Sequence, residues 1–224
     1  HKVLELSINN ARSLGLKVVS SDKFIEFAGH YASNLVTEQT DERTEMIDIL
    51  RGMPPILFGT GDDFLLGQPE KNWNLEVLPN VYVGSRFDLL RSTGAESIEV
   101  LDYKTGKYVK DHEEAWSDPQ VGLYGWAAQQ FYPDREITVT LWYVREGQKR
   151  KVIVDEDFII YHSEQIMSAA KQIQKGYDAA RVGKPCQWCD YKEECEAFAE
   201  SELQRVKLSK PLAEMSDEDI VWKA

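Results

Sequence analysis

Asp102 and Lys104 stand two residues apart in Ser97-Ile-Glu-Val-Leu-Asp-Tyr-Lys104, a run whose β-branched and apolar composition predicts a strand. Strand residues two apart share a face, so the carboxylate and the ammonium project together, with Ile98 and Val100 continuing that face toward the core. A second β-rich run, Val81-Tyr-Val-Gly-Ser-Arg-Phe-Asp-Leu-Leu90, precedes it, and Arg91-Ser-Thr-Gly-Ala-Glu96 joins the two as a hairpin. With the turn centred on Ala95, Asp88 falls opposite Asp102 and two carboxylates converge from adjacent strands. Such a pair is self-repelling and costly to bury unless a cation sits between, and hard oxygen donors suit Mg²⁺ or Mn²⁺. An ion held there polarises a phosphodiester and activates water, while a neighbouring lysine orients the attacking water and offsets developing negative charge. The chemistry these residues support is phosphodiester hydrolysis.

Several elements must hold that hairpin in place. Asp118-Pro119 reads as an N-cap and first-turn proline of a helix running to about Phe131, before Pro133. Gln120 and Tyr124, at i and i+4, share one face of its first turns and are within reach of Lys104 or a substrate. Leu4, Ile8 and Ala11 recur at helical spacing from His1 to about Ser13, and a second helical stretch runs from Ser21-Asp22 to about Leu35. From Thr37 to Pro79 only Glu42 to Leu50 looks helical, because Gly52, Pro54, Pro55, Gly59, Gly61, Gly67 and Pro69 interrupt any regular element. Strands are expected at Ile137 to Val144 and Lys151 to Val154, around a turn at Glu146-Gly147. A long helix from Glu156 or Ser163 to about Arg181 follows. This order predicts an α/β fold with a mixed sheet and helices packed on it. One domain over 1–224 is expected, with its core at about 1–20 and 75–182, an insertion at about 21–74 and a cysteine-containing segment at about 183–224.

The 224 residues are 42 % hydrophobic and 11 % aromatic, enough for a sizeable core. A net charge of −12 argues against a protein that simply coats nucleic acid, so any DNA contact must be local. Lys104, Lys107 and Lys110 form one candidate patch and Lys149, Arg150 and Lys151 another; a solvated face is the commoner fate of each. No run is apolar enough to span a membrane, which makes a cytoplasmic location the expectation. The chain starts at His1 rather than Met, so the expectation is that the true start lies upstream or has been removed. His30, His112 and His162 have no neighbour at ligand spacing, and the tryptophans read as core residues rather than base-stacking platforms.

Gly84-Ser-Arg-Phe-Asp88, Val100-Leu-Asp-Tyr-Lys-Thr-Gly106 and Gln120-Val-Gly-Leu-Tyr124 together resemble the successive motifs of the RecB-type PD-(D/E)xK nucleases. That resemblance implies a restriction-endonuclease-like core and a metal-dependent DNA nuclease, an exonuclease by preference, working in recombination or repair beside a helicase or other recombination protein. It implies that Asp88, Asp102 and the Tyr103 carbonyl bind metal and that Lys104 assists the water. Gln120 and Tyr124 would contact DNA or order the site. The histidine that the family carries on its first core helix falls on His1, with Glu5 one turn on as a support. Two other classes stay open: a catalytically inactive nuclease fold serving as a DNA-binding scaffold, and a small metal-binding module. Intact Asp88, Asp102 and Lys104 argue against the first, and the second leaves the hairpin unexplained.

That second alternative centres on Cys186-Gln-Trp-Cys189-Asp-Tyr-Lys-Glu-Glu-Cys195, an odd cluster better suited to metal than to disulfides. Its spacing resembles the C-terminal part of the iron-sulfur staple in AddB-like nucleases, which implies a [4Fe-4S] cluster in a longer form with a fourth cysteine upstream. Zinc with another ligand, or plain buried thiols, are the alternatives.

Overall fold

Alternating apolar residues in the middle of the chain, flanked by stripes at helical spacing, build a sheet covered by helices on both faces. The computed structural model describes residues 2–14, 18–19, 26, 44–45, 48–49, 56–57, 68–177 and 180–208. The chain divides into two compact units, His1–Gln174 and Lys175–Ala224.

The first unit opens with α1 (Lys2–Ser13), followed by β1 (Val18–Val19) and β2 (Ile56–Leu57), which pair with each other. Then come β3 (Gln68–Leu78), β4 (Val81–Ser92), β5 (Ser97–Lys104), α2 (His112–Trp116), α3 (Pro119–Phe131), β6 (Glu136–Tyr143), β7 (Gln148–Ile153) and α4 (Glu156–Gln174). The main sheet runs β3-β4-β5-β6-β7 and is mixed, because β5 and β6 pair in parallel while every other neighbour is antiparallel. A parallel pair needs a crossover, and α2 and α3 lie within it.

Both faces of the sheet are packed. On one, Leu90, Val100, Val139 and Leu141 meet Val121 and Ala128 of α3 and Phe158 of α4. On the other, Leu89, Leu101, Tyr103 and Trp142 meet Val3, Leu4, Ile8 and Ala11 of α1, the stripe expected from its spacing. That second face also buries polar groups: Glu99 accepts from Thr140 Oγ1 at 2.6 Å and pairs with Arg91, whose Nη2 is 2.5 Å away. Two glycines let α3 approach α4 closely. A Cβ at Gly122 would lie 2.0 Å from His162 Nδ1, and one at Gly125 would lie 2.6 Å from Phe158 Cε1.

The expected hairpin, the capped helix after Asp118, the β6 and β7 strands and the turn at Gly147 (φ 64°) are all present. Three details differ. The 68–78 region, read as broken by Gly67 and Pro69, is an eleven-residue strand. It lies at the sheet edge, where a proline deprives no second neighbour of a hydrogen bond. Helix α2 went unread although Asp111 and Glu114 form a capping box around its start. Helix α4 ends at Gln174 rather than near Arg181, with Gly176 in the left-handed region at φ 69° just beyond it. The expected helix from Ser21 to Leu35 lies outside the described residues apart from Glu26. Of the Glu42 to Leu50 piece, only 44–45 and 48–49 are described, and they are helical.

The second unit holds two 3-10 turns, Lys184–Trp188 and Lys192–Glu194, and α5 (Glu196–Leu208).

Candidate active site

Strands β4 and β5 fold about Ala95. Leu89 pairs with Leu101, Leu90 with Val100 and Arg91 with Glu99, a register that carries Asp88 opposite Asp102. The ladder stops just short of that pair. The next donor on this edge of β5, the Tyr103 N–H, goes to the Asp88 side chain (Oδ2 at 2.8 Å) instead of to a backbone carbonyl. Phe87 and Leu90 reach the same core cluster although three residues apart, while Leu89 reaches the opposite one, so β4 bends at Asp88. The bend opens the sheet between the two aspartates. The N–H and C=O of one strand residue face the same neighbour, so the Tyr103 carbonyl is directed to this opening as well.

Asp102 and Lys104 project from the α3 face of β5, as their spacing requires. Asp102 is only 2 % exposed, and its Oδ2 lies 2.7 Å from Lys104 Nζ. Asp118 sets the start of α3 by accepting from the Gln120 and Val121 N–H groups at 2.7 and 3.1 Å. The helix then delivers Gln120 between the two charged groups: Lys104 Nζ donates to its Oε1 at 2.7 Å, and its Nε2 donates to Asp102 Oδ1 at 3.1 Å and to the Tyr124 hydroxyl at 2.9 Å. Chemistry fixes this amide's orientation, since a lysine offers only donors and a carboxylate only acceptors. The Tyr124 hydroxyl in turn donates a hydrogen bond to the Arg86 carbonyl at 3.0 Å. Asp102, Lys104, Gln120 and Tyr124 thus form one connected network, tied back to β4 two residues before Asp88.

The electrostatics follow from this placement. Burial, and then the charge of Asp102, push the Tyr124 phenol up to about 12; Asp88 adds to the rise, while hydrogen bonds from Gln120 and Ser85 oppose it. Tyr124 therefore stays neutral and serves as a fixed O–H donor, and its hydroxyl senses both aspartates. Burial raises the Tyr103 phenol far above its ordinary value, against the pull of Arg91. Only the backbone of Tyr103 is available to the site.

The donor chemistry fits a hard divalent cation: two carboxylates from adjacent strands and a backbone carbonyl beside them. Mg²⁺ in particular uses one or two carboxylates and keeps several waters. Among the described residues no three His, Cys, Asp or Glu side chains gather into a ready-made cage. His1, the further ligand that the resemblance implies, lies outside the described residues, and Glu5 pairs with Lys2 at 2.7 Å.

The candidate basic patches are largely engaged in structure. Lys110 pairs with Asp118, and its carbonyl accepts from Arg150 Nε at 2.7 Å. Lys149 sits 4.1 Å from the centre of the Trp142 ring, and burial and then Arg91 lower its pKa. His162 is a packing residue, with Nε2 2.9 Å from the Trp116 carbonyl. Arg86 and Glu70, which pair with each other across β4 and β3 next to Asp88 in register, are not among the residues expected from sequence. Arg86 lies within the quoted Gly84-to-Asp88 motif, whereas Glu70 had no signal because its strand was unread.

In the second unit the three cysteines form no disulfide among the described residues; Cys189 is exposed and Cys186 and Cys195 are half-buried, so none is a buried packing thiol. The Gly183 N–H donates to Cys186 Sγ at 3.3 Å. Three thiolates fall one short of the usual [4Fe-4S] set, so the residues present do not by themselves fit that cluster.

A mixed sheet carrying an Asp…Asp-x-Lys constellation at its bent hairpin defines a nuclease class. The sequence profile of the PD-(D/E)XK nuclease superfamily matches residues 24–196, and the chain belongs to that superfamily. Among solved structures, the crystal structure of SSO0001 is similar at 14 % identity and a TM-score of 0.42, covering 88 % of this chain and 85 % of that one. A proposed exonuclease from Eubacterium rectale aligns at 14 % identity and a TM-score of 0.40, covering 77 % of this chain and 68 % of that one. No curated protein matches the sequence.

Proposed function

We propose that this chain is a Mg²⁺- or Mn²⁺-dependent DNA nuclease, an exonuclease of RecB type that processes DNA ends in recombination or repair alongside a helicase or other recombination protein in the cytoplasm. One observation carries the reading: the Lys104 ammonium is fixed at 2.7 Å from both Asp102 and Gln120, beside the opening where Asp88 leaves the β4–β5 ladder. Asp88, Asp102 and the Tyr103 carbonyl, with His1 as the further ligand that the family resemblance implies, would hold the cation. When bound, it supplies Lewis-acid polarisation of the phosphodiester and a more acidic water.

The protein's own groups do the remainder. Two of the three Lys104 donors are taken by Asp102 and Gln120, leaving the third for the attacking water or a non-bridging phosphate oxygen. Its charge offsets the negative charge that develops as the water attacks. Gln120 holds Lys104 and Asp102 in register. Tyr124, held neutral, anchors Gln120 to β4 without competing for the attacking water's proton.

The test is digestion of 5′-labelled and 3′-labelled single-stranded and duplex DNA with and without Mg²⁺. Stepwise shortening that stops on chelation is expected. Full cleavage in excess EDTA would sink the mechanism, and DNA binding with no cleavage in Mg²⁺ or Mn²⁺ would favour an inactive scaffold.

A further inference from the structure

Arg86 is two residues before Asp88 on β4. Its backbone carbonyl is the end point of the Gln120–Tyr124 chain, so its position is locked to that of Lys104. Its side chain behaves differently: Nε pairs with Glu70 Oε2, and the side chain as a whole is 60 % exposed, while Glu70 is only 13 % exposed. Glu70 lies on β3 between Pro69 and Lys71, which pair with Leu89 and Phe87, and so stands opposite Asp88 and diagonal to Arg86. It holds a left-handed backbone conformation, φ 53°, that non-glycine residues rarely adopt. A mostly buried acid thus pairs with a largely exposed arginine two residues from Asp88.

We infer that Arg86 is a substrate-phosphate-binding residue and that Glu70 is the residue positioning it; the inference rests on the nuclease reading above. With its arginine 60 % exposed, the cross-strand pair is screened on that side and contributes little to stability. A planar guanidinium whose Nε faces a carboxylate keeps its two terminal nitrogens as a pair, the fork that matches two oxygens of one phosphate. In a chain of net charge −12, an exposed cation two residues from Asp88 supplies local attraction of the kind that DNA binding requires. Bound there, a backbone phosphate is placed beside the Asp88–Asp102 opening.

The experiment uses the full chain. Affinity for a fluorescein-labelled DNA oligonucleotide is measured in EDTA across a salt series, and KM and kcat are measured in Mg²⁺. Arg86→Ala is expected to weaken binding about tenfold or more and to reduce the slope of log affinity against log salt by about 0.7 to 0.9, the loss of one phosphate contact. Arg86→Lys restores the slope but not the full affinity, because the charge returns without the fork. Glu70→Ala raises KM at an undiminished salt slope. If the pair were only a brace between strands, Arg86→Ala and Glu70→Ala would lower thermal stability alike and leave slope and KM alone; that result overturns the assignment while leaving the nuclease reading intact. A wild-type chain that neither binds nor cleaves DNA overturns both.

Discussion

Replacing Gly122 with alanine separates two opposed physical effects. In an uncrowded helix the exchange is favourable by about 1 kcal/mol, because glycine is the poorer helix former. Here the new methyl would lie 2.0 Å from His162 Nδ1 and 2.5 Å from Cε1. The ring has little room to retreat, being 3 % exposed, bonded through Nε2 to the Trp116 carbonyl and packed with its centre 4.3 Å from that of Phe158. Overpacking of this kind costs about 1–3 kcal/mol, and breaking the bond to Trp116 adds about 1 kcal/mol. The balance is a net destabilisation of about 1–3 kcal/mol, opposite in sign to the propensity term. Urea unfolding monitored on the nuclease unit reads it as a lower midpoint at unchanged slope. In a His162→Ala background the collision is gone, so Gly122→Ala should cost much less or stabilise. A stabilised single mutant, or the same cost in both backgrounds, would refute the packing argument. Because α3 also carries Gln120 and Tyr124, the single mutant should lose nuclease activity beyond its loss of folded protein.

Asp102→Ala and Lys104→Ala should each cut turnover by about 100-fold or more, with circular dichroism unchanged. The double mutant should fall no further than the worse single, because the two act as a unit, and a multiplicative loss would argue against that. Tyr124→Phe removes the hydroxyl between Gln120 and Arg86; the expected cost is about 1 kcal/mol of stability and a rate loss smaller than that of Asp102→Ala, and a collapse equal to it would assign the phenol a larger part. Burial holds His162 below its ordinary 6.5, with the Trp116 bond pulling the other way. The unfolded chain therefore binds this proton more tightly, and the stability is fully present above 6.5 and lost as pH falls toward the depressed folded value. Between pH 7.5 and 5.5 the urea midpoint should drop more for wild type than for His162→Gln, and equal drops would exclude the histidine. A longer form bearing a fourth cysteine, purified anaerobically, should be brown and lose its visible absorption on Cys189→Ala; colourless, iron-free protein with unchanged stability after that substitution would remove the cluster.

The hairpin was legible because a turn centre and the two-residue period of a strand are enough to set register: Ala95 alone places Asp88 against Asp102. Asp118 and Pro119 announced α3 by capping chemistry, which needs no tertiary information. Strand β3 was not legible, since Gly67 and Pro69 signal a break unless it is known that the strand lies at a sheet edge. Glu70 was lost with it. Side-chain roles were visible only in part: spacing put Gln120 and Tyr124 on one face, but that the amide bridges Lys104 and Asp102 depends on where the crossover lays α3 across the sheet.

The parallel pairing of β5 with β6 has a consequence for how the molecule assembles. Strands β3, β4 and β5 follow one another and pair locally, so both aspartates can meet as soon as residue 104 is made. Joining residue 97 to residue 136 instead requires closing the whole crossover, at an entropic cost about 1 kcal/mol above that of the Leu89–Leu101 contact. Gln120 and Tyr124 ride on that crossover. The carboxylate half of the site is therefore set by nearby contacts, whereas the half that orders Lys104 depends on a distant one. During synthesis the chain would expose a carboxylate pair before it has anything to hold the lysine still, and competence would arrive in a single late step when β6 docks.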